Sequence, residues 1–298
     1  MSARLRSTIA VALAAIVIAG SIVVFRFVTA DPSARFVYNL EADSAAYDAL
    51  ARQVDKTGSV HLIPAYWPPG FILWLAGIYA IAGPSYLSAK IVAWALLTIM
   101  AAAASALMWR RAGPWEGLFA GAGTITSPIL TAYAATLQYE ILAAFVTTII
   151  VVVLLYPQAR RRSAQWLQAL ALGVLCGCGA LVREPLVFVF PVALLVIVAR
   201  ERARGSISQA GAPALIMTLV FAGIVMSWSV VQYQETRRVI VLSDKSDANL
   251  RIGNNPKANG TYNAQLDGIG EPAGWSFVAP SPVAPYAFTL TNGAFRSL

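Results

Sequence analysis

Long apolar runs separated by short arginine clusters are the feature that most constrains how this chain can fold. Several runs reach or approach the roughly 17–25 residues that an α-helix needs to cross a bilayer. Only 12% of the 298 residues are charged, and the mean hydropathy is +0.65, whereas soluble domains carry about 25% charged residues. The sequence therefore predicts an all-α integral membrane protein.

The arginine clusters predict the orientation of the spans. They occur at 110–111, 160–162 and 200–204, each between two apolar runs. With a cytoplasmic N-terminus and seven spans, every cluster falls on the cytoplasmic side, as the positive-inside rule requires. The alanine-rich spans favour a bacterial inner membrane. The seven predicted spans are 9–28, 86–108, 115–135, 140–156, 165–182, 185–199 and 212–233.

Two segments need separate interpretation. The run at 9–28 follows Arg4 and Arg6 and is too long for a typical signal peptide, so a retained anchor is predicted. Residues 68–83 are too short for a comfortable span, and we expect a helix in the outer interface that begins at the Pro68-Pro69 pair. Trp74 and Tyr79 suit that depth.

The predicted organisation has two parts. Residues 1–233 form a transmembrane domain in which 30–85 is the first outer loop, with interfacial helices. Residues 234–298 form a polar extracytoplasmic loop or tail with the turn signals Asn-Gly and Asp-Gly. No span follows this tail, so we expect a chain that lacks its C-terminal part.

The net charge of +8 does not indicate nucleic-acid binding, because the arginines lie mostly between apolar runs and not in a basic soluble domain. Cys176 and Cys178 lie two residues apart in one run and lack the other ligands of a zinc site. They are interpreted as small packing residues. Histidine occurs once, at His61, which does not make a zinc site by itself.

The predicted topology brings several polar residues to the outer face. Asp43 lies in the first outer loop, Glu140 starts a descending span, and Arg183-Glu184 lies at a hairpin tip. Ionisable residues at membrane depth are costly and usually mark a function.

Each residue also has a structural interpretation. Asp43 can be the N-cap of a helix over 44–56 that Gly58 ends, and Asp48 can pair with Arg52 at i+4. Glu140 can simply mark the water boundary, and Arg183-Glu184 a solvated turn before Pro185. These alternatives stay open at the level of the residues.

Five segments together resemble the GT-C class of polytopic glycosyltransferases. The resemblance is to bacterial relatives of dolichyl-phosphate-mannose protein mannosyltransferases and of the aminoarabinose transferase that modifies lipid A. It rests on order and topology across most of the chain. The segments are EADSAAYDALARQ (41–53), AYWPPGFILWLAGIYAIAG (65–83), LQYEILAAF (137–145), ALVREPLVFVFPVALL (180–195) and RIGNNPKANGTY (251–262).

The resemblance implies transfer of a sugar, with inversion, from a polyprenyl-phosphate donor to a lipid, glycan or protein acceptor outside the cytoplasm. Asp43 matches the essential acid of the first outer loop and would be the general base. Arg183 would bind the donor phosphate. Glu140, Glu41 and Asp48 would orient the acceptor or compete for the base role. The expected substrate-loop residues are Tyr47, Tyr66, Asn254 and Asn255.

Two other function classes remain open. A flippase or transporter for a lipid-linked sugar would favour internal repeats and charges at the bilayer midplane, and a non-catalytic scaffold would not need Asp43. The expected partners are the donor, the acceptor and membrane lipids, without nucleic acid. The sequence identifies no cofactor and no metal ligand set, and it leaves a divalent metal ion open.

Overall fold

The computed structural model describes residues 3–30, 41–155, 162–203, 207–244, 275–277 and 288–290. Apart from two three-residue strands, the described chain is helical. Short 3₁₀ turns cover Val60–Leu62 and Glu184–Phe188. The strands β1 (Trp275–Phe277) and β2 (Phe288–Leu290) pair antiparallel. The helices are α1 (Ala3–Thr29), α2 (Glu41–Thr57), α3 (Pro69–Ala82), α4 (Tyr86–Arg111), α5 (Pro114–Ile125), α6 (Pro128–Ala135), α7 (Glu140–Leu155), α8 (Arg162–Val182), α9 (Val189–Ala203) and α10 (Ile207–Thr236).

The long apolar helices support the prediction of a membrane protein. Among the described residues, three helical segments are long and apolar enough to cross a bilayer: Tyr86–Arg111, Ser163–Val182 and Gly211–Thr236. A fourth candidate is the pair α5 and α6, which bends by 42°. The break is explained locally, since Ser127 caps α6 and Pro128 occupies its first position. Each of the seven predicted runs coincides with helix, but α7 and α9 are only 16 and 15 residues long.

Glycines allow the long helices to approach closely. A Cβ on Gly173 would lie 2.8 Å from the Met217 carbonyl oxygen of α10, and one on Gly177 would meet Ile224 at 3.0 Å. This i, i+4 spacing of small residues is the packing pattern of membrane helices. Cys176 is buried at the same level while Cys178 is exposed, and both are free thiols. Cys176 therefore confirms the predicted packing role.

The first outer loop folds into a packed layer. Helix α3 begins at Pro69 as predicted and ends at Gly83, whose φ is +79°. A Cβ on Gly70 would lie 2.7 Å from the backbone of Leu181 and Val182, so the first turn of α3 touches the end of α8 directly. Half of the residues of α3 are buried, including Tyr79 at 2% exposure. Tyr79 is thus a core residue, and its predicted role as a membrane-interface anchor is wrong.

Contacts between helix ends define two ends of the bundle. Arg111 donates to the Leu155 carbonyl, and Gln168 donates to the Val153 carbonyl at 2.6 Å. The end of α4, the end of α7 and the start of α8 therefore meet at one end, called the arginine end. At the opposite end, called the site end, α2 and α3 cover the start of α4 and of α7 and the end of α8. This alternation agrees with the predicted order of crossings.

Candidate functional site

A buried carboxylate joins three helices at the site end. Asp48 is 8% exposed. Both of its oxygens accept from Nε of Arg52, at 3.0 and 2.9 Å. The hydroxyls of Tyr79 and Tyr86 donate to it at 2.6 and 3.1 Å. We call these four residues the Asp48 junction. Because its lone pairs are occupied, Asp48 has little capacity left to accept a substrate proton.

A second group of charges lies around Tyr139, just before α7. The guanidinium carbon of Arg183 lies 5.4 Å from the centre of the Tyr139 ring, within cation–π range. Burial, as the largest cause, and the negative charges of Glu140, Asp43 and Glu184 together raise the pKa of Tyr139 to about 12, while the positive charge of Arg183 opposes the shift. Coulombic effects fall with distance, so these residues share one neighbourhood. Asp43, Tyr139, Glu140, Arg183 and Glu184 are called the Tyr139 cluster.

The structure therefore brings together Asp43, Glu140 and Arg183, which the sequence predicts for the site. They come from the first turn of α2, the first turn of α7 and the residue after α8. Helix α2 begins at Glu41, three residues before the predicted start, so Asp43 lies inside the first turn and not at the N-cap. Its side chain is half-buried. Gly58 ends this helix as predicted, with a φ of +66° and its N–H bonded to the Val54 carbonyl at 2.8 Å.

Tyr47 lies one helical turn after Asp43 and connects the cluster to the core. Its side chain is 1% exposed, and its ring packs edge-to-face against Trp67, Phe71 and Tyr139. Burial raises the pKa of Tyr47 strongly, and the charges of Asp43 and Glu140 add to the effect. Within the described residues its hydroxyl has no hydrogen-bond partner. A neutral buried hydroxyl of this kind can donate a hydrogen bond to a ligand that supplies an acceptor.

Backbone and amide contacts position the cluster. The Gln138 side-chain amide donates to the Ser44 hydroxyl at 3.1 Å, which joins α2 to the residues before α7. The close approach at Gly70 places α3 beside Val182, next to Arg183. Gln138 and Ser44 are buried polar residues. No local pattern predicts this pair, because its members are separated by 94 positions.

The segment 237–244 crosses the site end after α10. The Leu242 carbonyl accepts from the indole of Trp228 at 2.9 Å, and the Asp244 N–H donates to the Ala65 carbonyl at 2.9 Å. Between them, the Ser243 hydroxyl bonds Glu184. His61 lies 2.8 Å from Glu235 of α10, so the histidine that the sequence left without a role contacts α10. Residues 237–244, the described beginning of the polar tail, thus contact the Tyr139 cluster at Glu184.

Lys90 is a charged residue that the sequence analysis missed. It lies one turn inside α4 from the site end and is 1% exposed. It escaped notice because it is a single charge within an apolar run. A buried ammonium group at this depth is costly and usually marks a function.

The structure describes some of the remaining predicted site residues, and the others lie outside the described residues. Trp67 is 3% exposed and packs between Tyr47 and Tyr66, so it is a core residue. Tyr66 is half-buried beside it. Glu41 begins α2, but its side chain lies outside the described residues, as do Asn254 and Asn255. Among the described residues, no group of three or more His, Cys, Asp or Glu side chains is placed to hold a metal ion.

Comparison with known proteins yields no relative of this chain: no family model, no curated protein and no solved structure gives a significant match.

Proposed function

We propose that this protein is a membrane glycosyltransferase that moves a sugar from a polyprenyl-phosphate donor to a lipid, glycan or protein acceptor, inverting the anomeric carbon. The supporting observation is the Tyr139 cluster. Its carboxylates and its guanidinium come from residues about 40 to 140 positions apart and lie at one end of an apolar helical bundle. The resemblance to GT-C enzymes gives the same residues complementary roles.

The reaction needs a base on the acceptor side. A sugar hydroxyl is a weak nucleophile, so a carboxylate within hydrogen-bond reach accepts its proton as the new glycosidic bond forms. Asp43 is the proposed base because it is half-buried and belongs to the Tyr139 cluster. Asp48 is the weaker candidate, since its oxygens are occupied by Arg52, Tyr79 and Tyr86.

The donor side needs positive charge. Breaking the anomeric carbon–oxygen bond leaves a polyprenyl phosphate, whose developing charge requires a cation or hydrogen-bond donors. Arg183 would supply the planar guanidinium that suits a phosphate. Lys90, buried one turn inside α4 at the same end of the bundle, is a second cation on this side.

Proteoliposomes that contain a labelled polyprenyl-phosphate sugar and a membrane extract as acceptor source test the proposal. The intact chain is expected to release polyprenyl phosphate and to label an acceptor. Asp43→Asn should lower the rate by at least about 100-fold, the usual contribution of a general base. Asp55→Asn, a change on the same helix away from the cluster, is the matched control and should keep full activity.

The outcomes separate the alternatives. Full activity of Asp43→Asn would refute the base assignment and move it to Glu140 or Glu41. Movement of the intact donor across the bilayer without release of polyprenyl phosphate would refute the transferase and support a flippase. If the intact chain is present in the membrane at normal abundance and neither transfers the sugar nor moves the donor, the result would refute both activities and support the non-catalytic scaffold.

A further inference from the structure

An open apolar groove lies between α1 and α4, far from the Tyr139 cluster. Its volume is about 420 Å³, which is within the size range of small-ligand sites. Its walls are almost entirely apolar. Its lining residues are Ala14, Val17, Ala102, Ser105, Ala106, Trp109 and Arg110.

Two antiparallel helices form the groove, and among the described residues their hydrogen bonds to each other lie towards the site end. Towards the site end, Ser21 and Thr98 share a hydrogen bond of 2.8 Å and the Trp94 indole donates to the Ser21 carbonyl at 2.9 Å. Further along the same register, Ala14 faces the stretch that contains Ala102 and Ala106. Alanine side chains end at Cβ and cannot fill the gap between the helices. The floor is closed by Ser105, whose hydroxyl donates to the Gly117 carbonyl of α5 at 2.8 Å.

At one end, the groove is lined by an arginine and a tryptophan, the residue types that contact lipid headgroups. Arg110 is exposed there and, within the part of the chain that the structure describes, makes no hydrogen bond or ion pair. Trp109 lines the groove one position earlier, and Trp is enriched where acyl chains meet headgroups. Arg111 is already bonded to the Leu155 carbonyl. Glu116 is the nearby acid in the first turn of α5, and Gly113 lies against it.

We propose that the groove binds one bilayer phospholipid with an anionic headgroup, its acyl chain along the alanines and its phosphate on Arg110. The apolar walls match an acyl chain, and the exposed guanidinium matches the phosphate. Basic sites between membrane helices select anionic lipids in this way. This site is separate from the proposed sugar transfer and does not depend on it.

Quenching of Trp109 by brominated lipids tests the proposal. The full chain is reconstituted in vesicles containing dibrominated phosphatidylglycerol or dibrominated phosphatidylcholine, and the signal of Trp109→Phe is subtracted to isolate Trp109. We expect phosphatidylglycerol to bind about fivefold more tightly than phosphatidylcholine, as one well-placed basic residue allows.

Two variants and a control make the result specific. Arg110→Gln should bring the ratio of the two lipids close to one. Ala106→Leu should fill the groove and reduce quenching by both lipids. Arg202→Gln removes an exposed arginine from the last turn of α9 and should leave the ratio unchanged. Equal binding of the two lipids by the intact chain would overturn the proposal, as would an unchanged ratio in Arg110→Gln. Because Arg110 is exposed, its variant should fold even if Ala106→Leu does not.

Discussion

Asp43 and Asp48 lie five residues apart on α2, yet their surroundings differ. In the Asp48 junction, one carboxylate is buried and accepts hydrogen bonds from Arg52, Tyr79 and Tyr86. In the Tyr139 cluster, Asp43 is half-buried and shares its neighbourhood with Glu140, Glu184 and Arg183. A saturated carboxylate stabilises a fold, whereas a carboxylate held near other charges keeps capacity for a ligand or a proton. We therefore expect mutation of Asp48 to lower stability and mutation of Asp43 to lower activity.

The largest effect is expected at the Asp48 junction. Asp48→Asn removes the charge that Arg52 faces and leaves donors of Tyr79 and Tyr86 poorly satisfied. Breaking a buried charged group in this way costs about 3–5 kcal/mol. The free energy of unfolding, measured in mild detergent titrated with dodecyl sulfate, should fall by this amount. Asp43→Asn and Asp55→Asn should change it by less than about 0.5 kcal/mol.

Either of two results would contradict this comparison of Asp43 with Asp48. If Asp48→Asn kept its stability and lost sugar transfer, Asp48 would be a functional residue and its saturation would be a resting state. If Asp43→Asn unfolded the protein, its loss of activity would carry no information about catalysis.

The next largest effect is expected where α3 touches α8. Gly70→Ala places a Cβ 2.7 Å from the backbone of Leu181 and Val182, which is rigid and cannot move aside as a side chain would. Overpacking of this kind costs about 1–3 kcal/mol. It should also lower activity, because α3 would be pushed away from the residues before Arg183. Thermal unfolding and donor turnover measure the two effects.

Gly77→Ala on the same helix is the matched control. A Cβ there meets no atom within 4 Å, and alanine favours helix over glycine by about 1 kcal/mol. We therefore expect this variant to be as stable as the original chain or slightly more stable. Equal losses in the two variants would mean that α3 is sensitive to substitution in general and that the contact with α8 has no special role.

Local patterns predicted the elements, and packing determined the contacts. Apolar length and the proline at position 69 were enough to place the helices, and the i, i+4 spacing was enough to pair Asp48 with Arg52. The partnership of Asp48 with Tyr79 and Tyr86 depends on how α2, α3 and α4 pack, over separations of 31 and 38 residues. No local pattern encodes that geometry.

The candidate site shows the same division. Topology alone predicted Asp43, Glu140 and Arg183 on one side, because Asp43 lies in the first outer loop and the other two lie at the outer ends of apolar runs. Gln138, Ser44 and Lys90 were missed since buried polar residues next to or within apolar runs carry no periodic signal. Tyr79 was misassigned because an aromatic residue in a predicted interface helix has the same sequence context whether it faces lipid or core.

The last comparison is between two buried tyrosines, and it includes the smallest expected effect, that of Tyr47→Phe. Tyr79→Phe removes a donor at 2.6 Å from Asp48, and loss of a hydrogen bond to a charged group costs about 1.5–3 kcal/mol. Tyr47→Phe removes a hydroxyl that makes no hydrogen bond within the described residues. Its loss should leave stability unchanged or raise it by about 1 kcal/mol, because an unsatisfied buried polar group is unfavourable. Unfolding in detergent measures both.

Measuring sugar transfer by the Tyr47→Phe variant would show whether a ligand uses the Tyr47 hydroxyl. The pKa of Tyr47 is raised by burial and by the charges of Asp43 and Glu140, so the hydroxyl remains a donor throughout the working pH range. If a ligand supplies the missing acceptor, Tyr47→Phe will weaken donor or acceptor binding severalfold while the protein stays folded. Unchanged kinetics in a stable Tyr47→Phe variant would mean that the ligand does not use this hydroxyl, and would restrict the proposed site to the charged groups of the Tyr139 cluster.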